Sequence, residues 1–313
     1  MDASPRNRRH PRACPEDPWT LGTGADGDKV GLARAFVVPT SWAMSRALLT
    51  DCALVRVTGQ DWRSFLQGLL TQDVESLQPG ELRYGALLTP QGRLRLDLFL
   101  FATDDGVLLD VAASRRDELV QALTLYRLRA KVELSPVDGA PTAAWGERPE
   151  GEGWLADPRL PALGWRRYGG PESSAGDYRA HRMGLGILDP TSDTSEPLYP
   201  IEANLDLLNG IDFKKGCFVG QETTSRMKRR GQIKSRVAPL AVEGGAIGAG
   251  SEILAGDLRA GLVLTSIPSR ALALLRIDRA TGQQMTIGDR PARLDVPPWL
   301  SCAFAMEANR QEA

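Results

Sequence analysis

The stretch Lys214-Lys215-Gly216-Cys217-Phe218-Val219-Gly220-Gln221-Glu222 holds the residue types best suited to chemistry. The thiolate, not the thiol, is the nucleophile and metal ligand, and neighbouring cations favour it. Two lysines beside Cys217 are therefore read as activating it, with Cys217 as the essential thiol and Lys215 as its catalytic partner. The flanking glycines let the backbone approach a ligand closely. The same residues also read as a small buried hydrophobe in a turn, and spacing alone does not choose between the two. Residues 214–236 carry Lys214, Lys215, Arg226, Lys228, Arg229, Arg230, Lys234 and Arg236 against Glu222 alone, a local +7 in a chain of net charge −1. Such a run suits a polycarboxylate, a phosphate or RNA, or it is a solvated helix face. Apart from Phe218 the cations are not interleaved with aromatic residues, which argues against a base-stacking platform.

The rest of the composition narrows the chemistry. Only two histidines occur, His10 and His181. A His-dependent triad or a multi-His metal centre would rest on His181, which lies between polar residues of an expected helix and is read as surface or packing. Cys14, Cys52, Cys217 and Cys302 contain no C-x-x-C pair, so neither a disulfide framework nor a zinc site is expected and no metal ligands are assigned. A reducing cytoplasm fits best. With 42% hydrophobic and 25% charged residues, the chain can build cores, and wholesale disorder is excluded. A near-zero net charge argues against a generic polyanion binder, and leaves room for a local basic patch. No apolar run is long enough to span a bilayer, and the N-terminus lacks the apolar segment of a secretory signal.

Elements of several kinds must position these residues. Residues 1–43 read as an appendage rich in Pro and Arg, with Met44 as a candidate start. Their Gly22-Thr23-Gly24-Ala25-Asp26-Gly27 has the G-x-G-x-x-G form but no convincing strand feeding it, so it is read as linker. From Ala53 the pattern predicts a strand to Val57. A helix follows with Trp62, Phe65, Leu66, Leu69 and Leu70 on one face. Strands Leu82–Thr89 and Leu94–Ala102 are joined at Pro90-Gln91-Gly92-Arg93, and a further strand runs from Val107 to Ala113. A helix opened by a capping box at Ser114 reaches about Leu128, and another strand covers Val132–Val137. Residues 138–177 read as turns between short strands. Helices are expected from Asp177 to about Leu185 and from Pro200 to Leu208. From Ile233, strands Ile233–Val242, Gly261–Ile267 and Ala271–Ile277 predict a small β-barrel, since closure removes free edges. The fold class is α+β with antiparallel sheets, divided at 44–137, 138–232 and 233–313.

Lys215-Gly216-Cys217-Phe218-Val219-Gly220-Gln221-Glu222 resembles the K-G-C-[FY]-x-G-Q-E signature of the folate-binding YgfZ family, relatives of the glycine-cleavage T-protein, an aminomethyltransferase. Phe65-Leu66-Gln67-Gly68-Leu69-Leu70-Thr71-Gln72-Asp73-Val74 and Leu87-Leu88-Thr89-Pro90-Gln91-Gly92-Arg93 resemble two more of its motifs. Leu125 to Val132 and Glu202 to Asp206 also match, so the likeness covers roughly residues 46–280. The cysteine run is specific, and the others gain weight from their order. The resemblance implies a three-domain ring of the T-protein type with a C-terminal β-barrel. It implies a site for tetrahydrofolate or a one-carbon derivative. It also implies a role in supporting iron–sulfur enzymes, including those that modify tRNA. Mitochondrial iron–sulfur assembly factors of this family share the cysteine motif. The T-protein's G-Y-T-G-E-D-G run is absent: Trp165-Arg166-Arg167-Tyr168-Gly169-Gly170 lacks the acidic residue, which favours the cysteine-bearing branch over aminomethyl transfer.

A reduced pterin presents an N3–H and a 2-amino group that one carboxylate can accept together, and its glutamate tail needs a cation. Asp97 is the first candidate. On its strand Arg95, Asp97, Phe99 and Phe101 share one face, as a pocket wall would, or the polar end simply meets water. By resemblance Asp97 also matches the acid that the T-protein uses beside folate, and Glu202 lies near the same site. Tyr84 is assigned as aromatic wall and Arg226 as tail clamp. The expected function is a folate-binding factor supporting assembly or repair of iron–sulfur enzymes, with client or assembly proteins as partners, a weak tRNA contact through 214–236, and a monomeric state. The alternatives are a folate-dependent one-carbon transferase and an RNA-binding module.

Overall fold

The computed structural model describes residues 44–170, 176–231 and 233–311. The N-terminal tail and its glycine motif lie outside them. Three sheets organise the chain, each traceable to a stretch of alternating or continuous apolar residues.

The first is a five-stranded antiparallel sheet in the order Leu82–Leu88, Leu94–Ala102, Gly106–Ala112, Cys52–Thr58, Glu133–Val137. The alternation in Leu94–Ala102 works as expected: Leu96, Leu98 and Leu100 are buried in one core, beneath Trp62, Leu66 and Leu70, while Phe99 joins a second core on the other side. The helix Trp62–Gln67 is shorter than its apolar period suggests, because Leu69 and Leu70 follow in a turn and Leu70 bridges to Leu87. The expected capping box does not form. Ser114 lies in a 3-10 turn, Ala113–Arg115, ahead of the helix Arg116–Arg127. Glu118 instead ties Arg115 and Arg95 at 2.6 and 2.8 Å.

The second sheet has four strands in the order Ser45–Leu48, Thr142–Trp145, Trp165–Arg167, Leu155–Ala156, so the start of the described chain pairs with a segment almost one hundred positions later. Against it packs the helix Tyr178–Gly184, whose Asp177 caps Ala180 N–H at 2.8 Å. His181 is a packing residue: its ring stacks on Trp145 at 5.0 Å and Nε2 contacts the Ala162 carbonyl.

The third is a closed six-stranded barrel in the order Ser235–Val242, Arg270–Arg276, Leu258–Ile267, Glu252–Ala255, Met285–Ile287, Arg290–Leu294. The last strand returns to the first through Leu240 and Leu294. A C-terminal helix, Pro298–Gln311, packs Leu300 and Phe304 into the barrel core, an element the sequence reading did not anticipate.

The helix expected over Pro200–Leu208 is absent. A run of turns takes its place, because Asn204 adopts a left-handed φ of 62° that breaks the ladder. That conformation lets its amide donate to the Val237 carbonyl at 2.8 Å and accept from Arg236 at 3.0 Å, so tertiary contacts override the local period.

Candidate functional site: a clamped thiol loop and a buried charge network

Three of the segments singled out by sequence, 65–74, 87–93 and 214–222, meet at one junction. Asp212 N–H donates to the Thr71 carbonyl, Thr71 Oγ1 donates to the Gly210 carbonyl, and Gln72 Nε2 donates to the carbonyls of Asn209 and Tyr84. Val219 N–H donates to the Gly68 carbonyl. The turn at 89–93 packs on the start of the helix Gln221–Arg230. Gly220 sits there at φ +78°, where a Cβ would fall 2.6 Å from the Thr89 carbonyl oxygen, so only glycine fits both the conformation and the space.

Lys215 is the pin of this junction. Its ammonium donates to the carbonyls of Gln67, Leu70 and Gln72 at 2.7, 2.6 and 2.9 Å. All three donors are thus engaged with backbone, where the sequence reading has them acting on the neighbouring thiol. Burial lowers the Lys215 pKa to about 8, with Asp73 and Asp212 opposing. The expected result for Lys215→Met is a loss of roughly 2 kcal/mol in urea unfolding, since three carbonyls lose charge-assisted donors in a partly solvated setting. Amide exchange over residues 65–73 should speed up in parallel. A change within about 0.5 kcal/mol, as for an ordinary surface position, would contradict the anchoring role.

Cys217 projects from this clamped loop. It is exposed, next to exposed Gly216 and followed by buried Phe218. Of the cations in residues 214–236, Lys214, Arg226, Arg229, Arg230 and Lys234 are exposed. Arg236 is buried and paired with Asp206 at 2.9 Å, and Lys228 reaches the same carboxylate at 3.3 Å. The basic run is therefore only partly a free surface. Cys52, the second free thiol among the described residues, has its pKa pushed up by burial and by Asp110.

Asp97 and Tyr84 come together in the interior. The Tyr84 hydroxyl donates to Asp97 Oδ2 at 2.9 Å; Thr191 N–H donates to Oδ1 at 3.0 Å, and the Thr191 hydroxyl donates to the same oxygen. Asp97 is 6% exposed, and the alternative that its strand end meets water is excluded. Burial, reinforced by Asp189, pushes its pKa up to about 6. The folded chain therefore holds this proton more tightly than the unfolded one, where an aspartate titrates near ~3.9. The group's stabilising contribution is complete below about pH 4 and is lost as pH rises through about 6. At ~1.4 kcal/mol per pH unit this amounts to about 3 kcal/mol. Asp97→Asn cannot ionise, so between pH 4 and 7 the unfolding free energy of the wild type should fall relative to the variant by up to that amount. Parallel curves would exclude the assignment.

Glu202 lies on the run of turns, where its Oε2 accepts from Tyr199 N–H at 2.9 Å; burial raises its pKa, with the Tyr199 N–H and then Arg93 opposing. It is a local cap. Arg226 is exposed on the helix Gln221–Arg230, apart from both carboxylates' bonding partners. Two surface clefts of about 370 and 350 Å³ are lined by Gly80 to Arg83 with Leu155 and Ala156, and by Thr89, Pro90, Arg95, Arg115, Glu118 and residues of 190–198. Neither reaches Asp97 or Glu202. The residues present therefore do not fit a folate: both carboxylates proposed to read it already have protein donors.

What the sequence reading missed is a network beside Asp97. Asp157 and Arg159 pair at 2.8 Å, Arg166 and Asp110 at 2.6 Å, all at 4% side-chain exposure or less. Tyr178 and Tyr168 add hydroxyls to Asp157 and Asp110. One signal was available. Asp110 stands in Gly106–Ala112, seven residues that are all buried, and a carboxylate there demands a cation. Among the described residues no group of three or more His, Cys, Asp or Glu could hold a metal ion, and no helix is long and apolar enough to cross a membrane.

Comparison with known proteins agrees with this architecture. The C-terminal β-barrel domain of CAF17 matches residues 234–302. The mitochondrial iron–sulfur cluster assembly factor IBA57 of Mus musculus is 31% identical over 243 residues, covering 65% of this chain and 67% of the relative. The Homo sapiens protein is 31% identical over 238 residues, covering 64% and 66%. The Mycosarcoma maydis homologue is 30% identical over 249 residues, covering 68% and 60%. Across such relatives the chain spans from 52% to 67% of their length. The crystal structure of the glycine cleavage system aminomethyltransferase T from Bartonella henselae superposes with a TM-score of 0.63 at 16% identity, covering 82% of this chain and 86% of that one. The T-protein fold is thus the fold of this chain. The expected cytoplasmic location is overturned, because these relatives are mitochondrial by name. A low cysteine count without a C-x-x-C pair cannot separate one reducing compartment from another.

Proposed function

Because the chain belongs to the IBA57 family of iron–sulfur cluster assembly factors, we propose that it supports the assembly or repair of iron–sulfur proteins through the exposed thiol of Cys217. The observation that carries this reading is the contrast between the two free thiols: Cys52 is partly buried, and Cys217 stands at the surface on a loop pinned by Lys215. A cluster takes four ligands, and among the described residues no group of three or more His, Cys, Asp or Glu could hold a metal ion. The thiol therefore acts with ligands from a partner, as a transient bridge or contact rather than as a resident cluster site. Exposed Lys214, Arg226, Arg229 and Arg230 in the same run of sequence favour a partner with acidic surface.

The finer expectations have less support. Tetrahydrofolate as bound cofactor lacks a free carboxylate at Asp97 and Glu202, and one-carbon transfer depends on it. RNA binding, including a tRNA contact, rests on a cation run of which Lys215 and Arg236 are internal. The test is Cys217→Ser in a strain lacking the native copy, with iron–sulfur enzyme activity as the readout.

A further inference from the structure

We infer that this chain takes no folate, because Arg159 and Arg166 close the aromatic face beside Asp97 that a reduced pterin would occupy. Recognition of a pterin requires three things of a protein: a carboxylate with lone pairs to spare, an apolar or aromatic wall open to the ligand, and a cavity of ligand size. Asp97 has three protein donors on its two oxygens. Its neighbour Phe99 is covered. The guanidinium carbon of Arg166 lies 3.8 Å from the ring centroid, that of Arg159 lies 4.7 Å away, and Tyr84 leans on the same ring at 5.1 Å. Farther along the same strand face, Phe101 is stacked by Tyr168 at 4.9 Å and 9°.

The closure is held in place. Arg159 forms a two-pronged pair with Asp157, through Nε at 3.0 Å and Nη2 at 2.8 Å. Arg166 donates to Asp110 at 2.6 Å. Swinging either guanidinium aside to admit a ligand would strand a buried carboxylate, which is strongly unfavourable. A guanidinium is planar, cationic, rich in N–H donors and prone to stack on aromatic rings. These are also the features by which the amino-pyrimidine edge of a pterin would be held, so the arginines act as built-in occupants of that surface. The network joins Arg166 on the four-stranded sheet to Asp110 on the five-stranded one. Its present use is to lock those two sheets together.

This inference is independent of Cys217, and its test involves neither the thiol nor an iron–sulfur client. The full chain is titrated by calorimetry with tetrahydrofolate and with 5-formyltetrahydrofolate, and its melting is followed at rising concentrations of each, beside Asp97→Asn treated the same way. Cooperative melting without ligand establishes that each sample is folded. The expected result is no saturable heat and no concentration-dependent rise in melting temperature for either protein. Saturable one-to-one binding to the wild type overturns the proposal. If Asp97→Asn abolishes that binding, the closed face opens after all; if it does not, folate binds elsewhere, and the claim that the chain takes none is equally lost.

Discussion

Replacing the sulfur of Cys217 by oxygen should reduce iron–sulfur enzyme activity in a deletion strain to the level of the empty vector, while the protein's melting stays within the range of a surface substitution, about ±0.5 kcal/mol. The two halves of this expectation have different physical sources. Serine preserves the size of the side chain but is neither a soft ligand nor a nucleophile of comparable strength at neutral pH. The fold does not depend on the sulfur, because Cys217 is exposed and the loop is held by others. Asp212 accepts from the N–H groups of Lys214 and Lys215 at 2.7 and 3.1 Å, and Phe218 is anchored in the core. Cys52→Ser is the matching control, and it should retain support of the enzymes. Full activity of Cys217→Ser would remove the thiol from the function, and equal loss in both variants would point to general thiol damage instead.

Arg166→Leu should lower the unfolding free energy by about 3–5 kcal/mol, the amount typical of breaking a buried ion pair from one side. The cause is less the lost attraction than the carboxylate left behind. Asp110 is 2% exposed, its pKa is already raised by burial, and without Arg166 it keeps the Tyr168 hydroxyl, which donates at 3.1 Å, but no cation. Phe99 also loses the guanidinium stacked on it. The double variant Arg166→Leu with Asp110→Leu is the diagnostic one. Removing both charges should restore most of the loss, since a buried pair replaced by apolar groups is often close to neutral. Urea unfolding of wild type, both single variants and the double variant measures the coupling directly. A single-variant loss below about 1 kcal/mol, the centre of ordinary substitutions, would mean that the pair is not a keystone between the sheets.

The two variants also separate function from fold. Cys217→Ser removes the working group and leaves the scaffold; Arg166→Leu weakens the scaffold at a buried pair between two sheets. A network variant that is folded at the assay temperature should therefore still support iron–sulfur enzymes. Sharing of the two defects would tie the ring of buried charges to the thiol's task.

Much of this protein was determined by local sequence. The alternation of Leu94–Ala102 set which side chains enter the core, the turn residues at 90–93 set the hairpin, and the short strands after Ser235 closed as a barrel. The singular residue types of 214–222 marked the loop that carries the exposed thiol. Only the tertiary structure decided what each charge meets. Lys215 lies beside Cys217 in sequence yet spends its donors on carbonyls some 145 positions away, and Asp110 finds Arg166 at a separation of 56. Asn204 broke an expected helix to reach Val237. Period and spacing encode which face of an element is apolar, because burial is a property of the single chain segment. The partner of a buried polar group is set by how separate elements pack, and no local pattern records it.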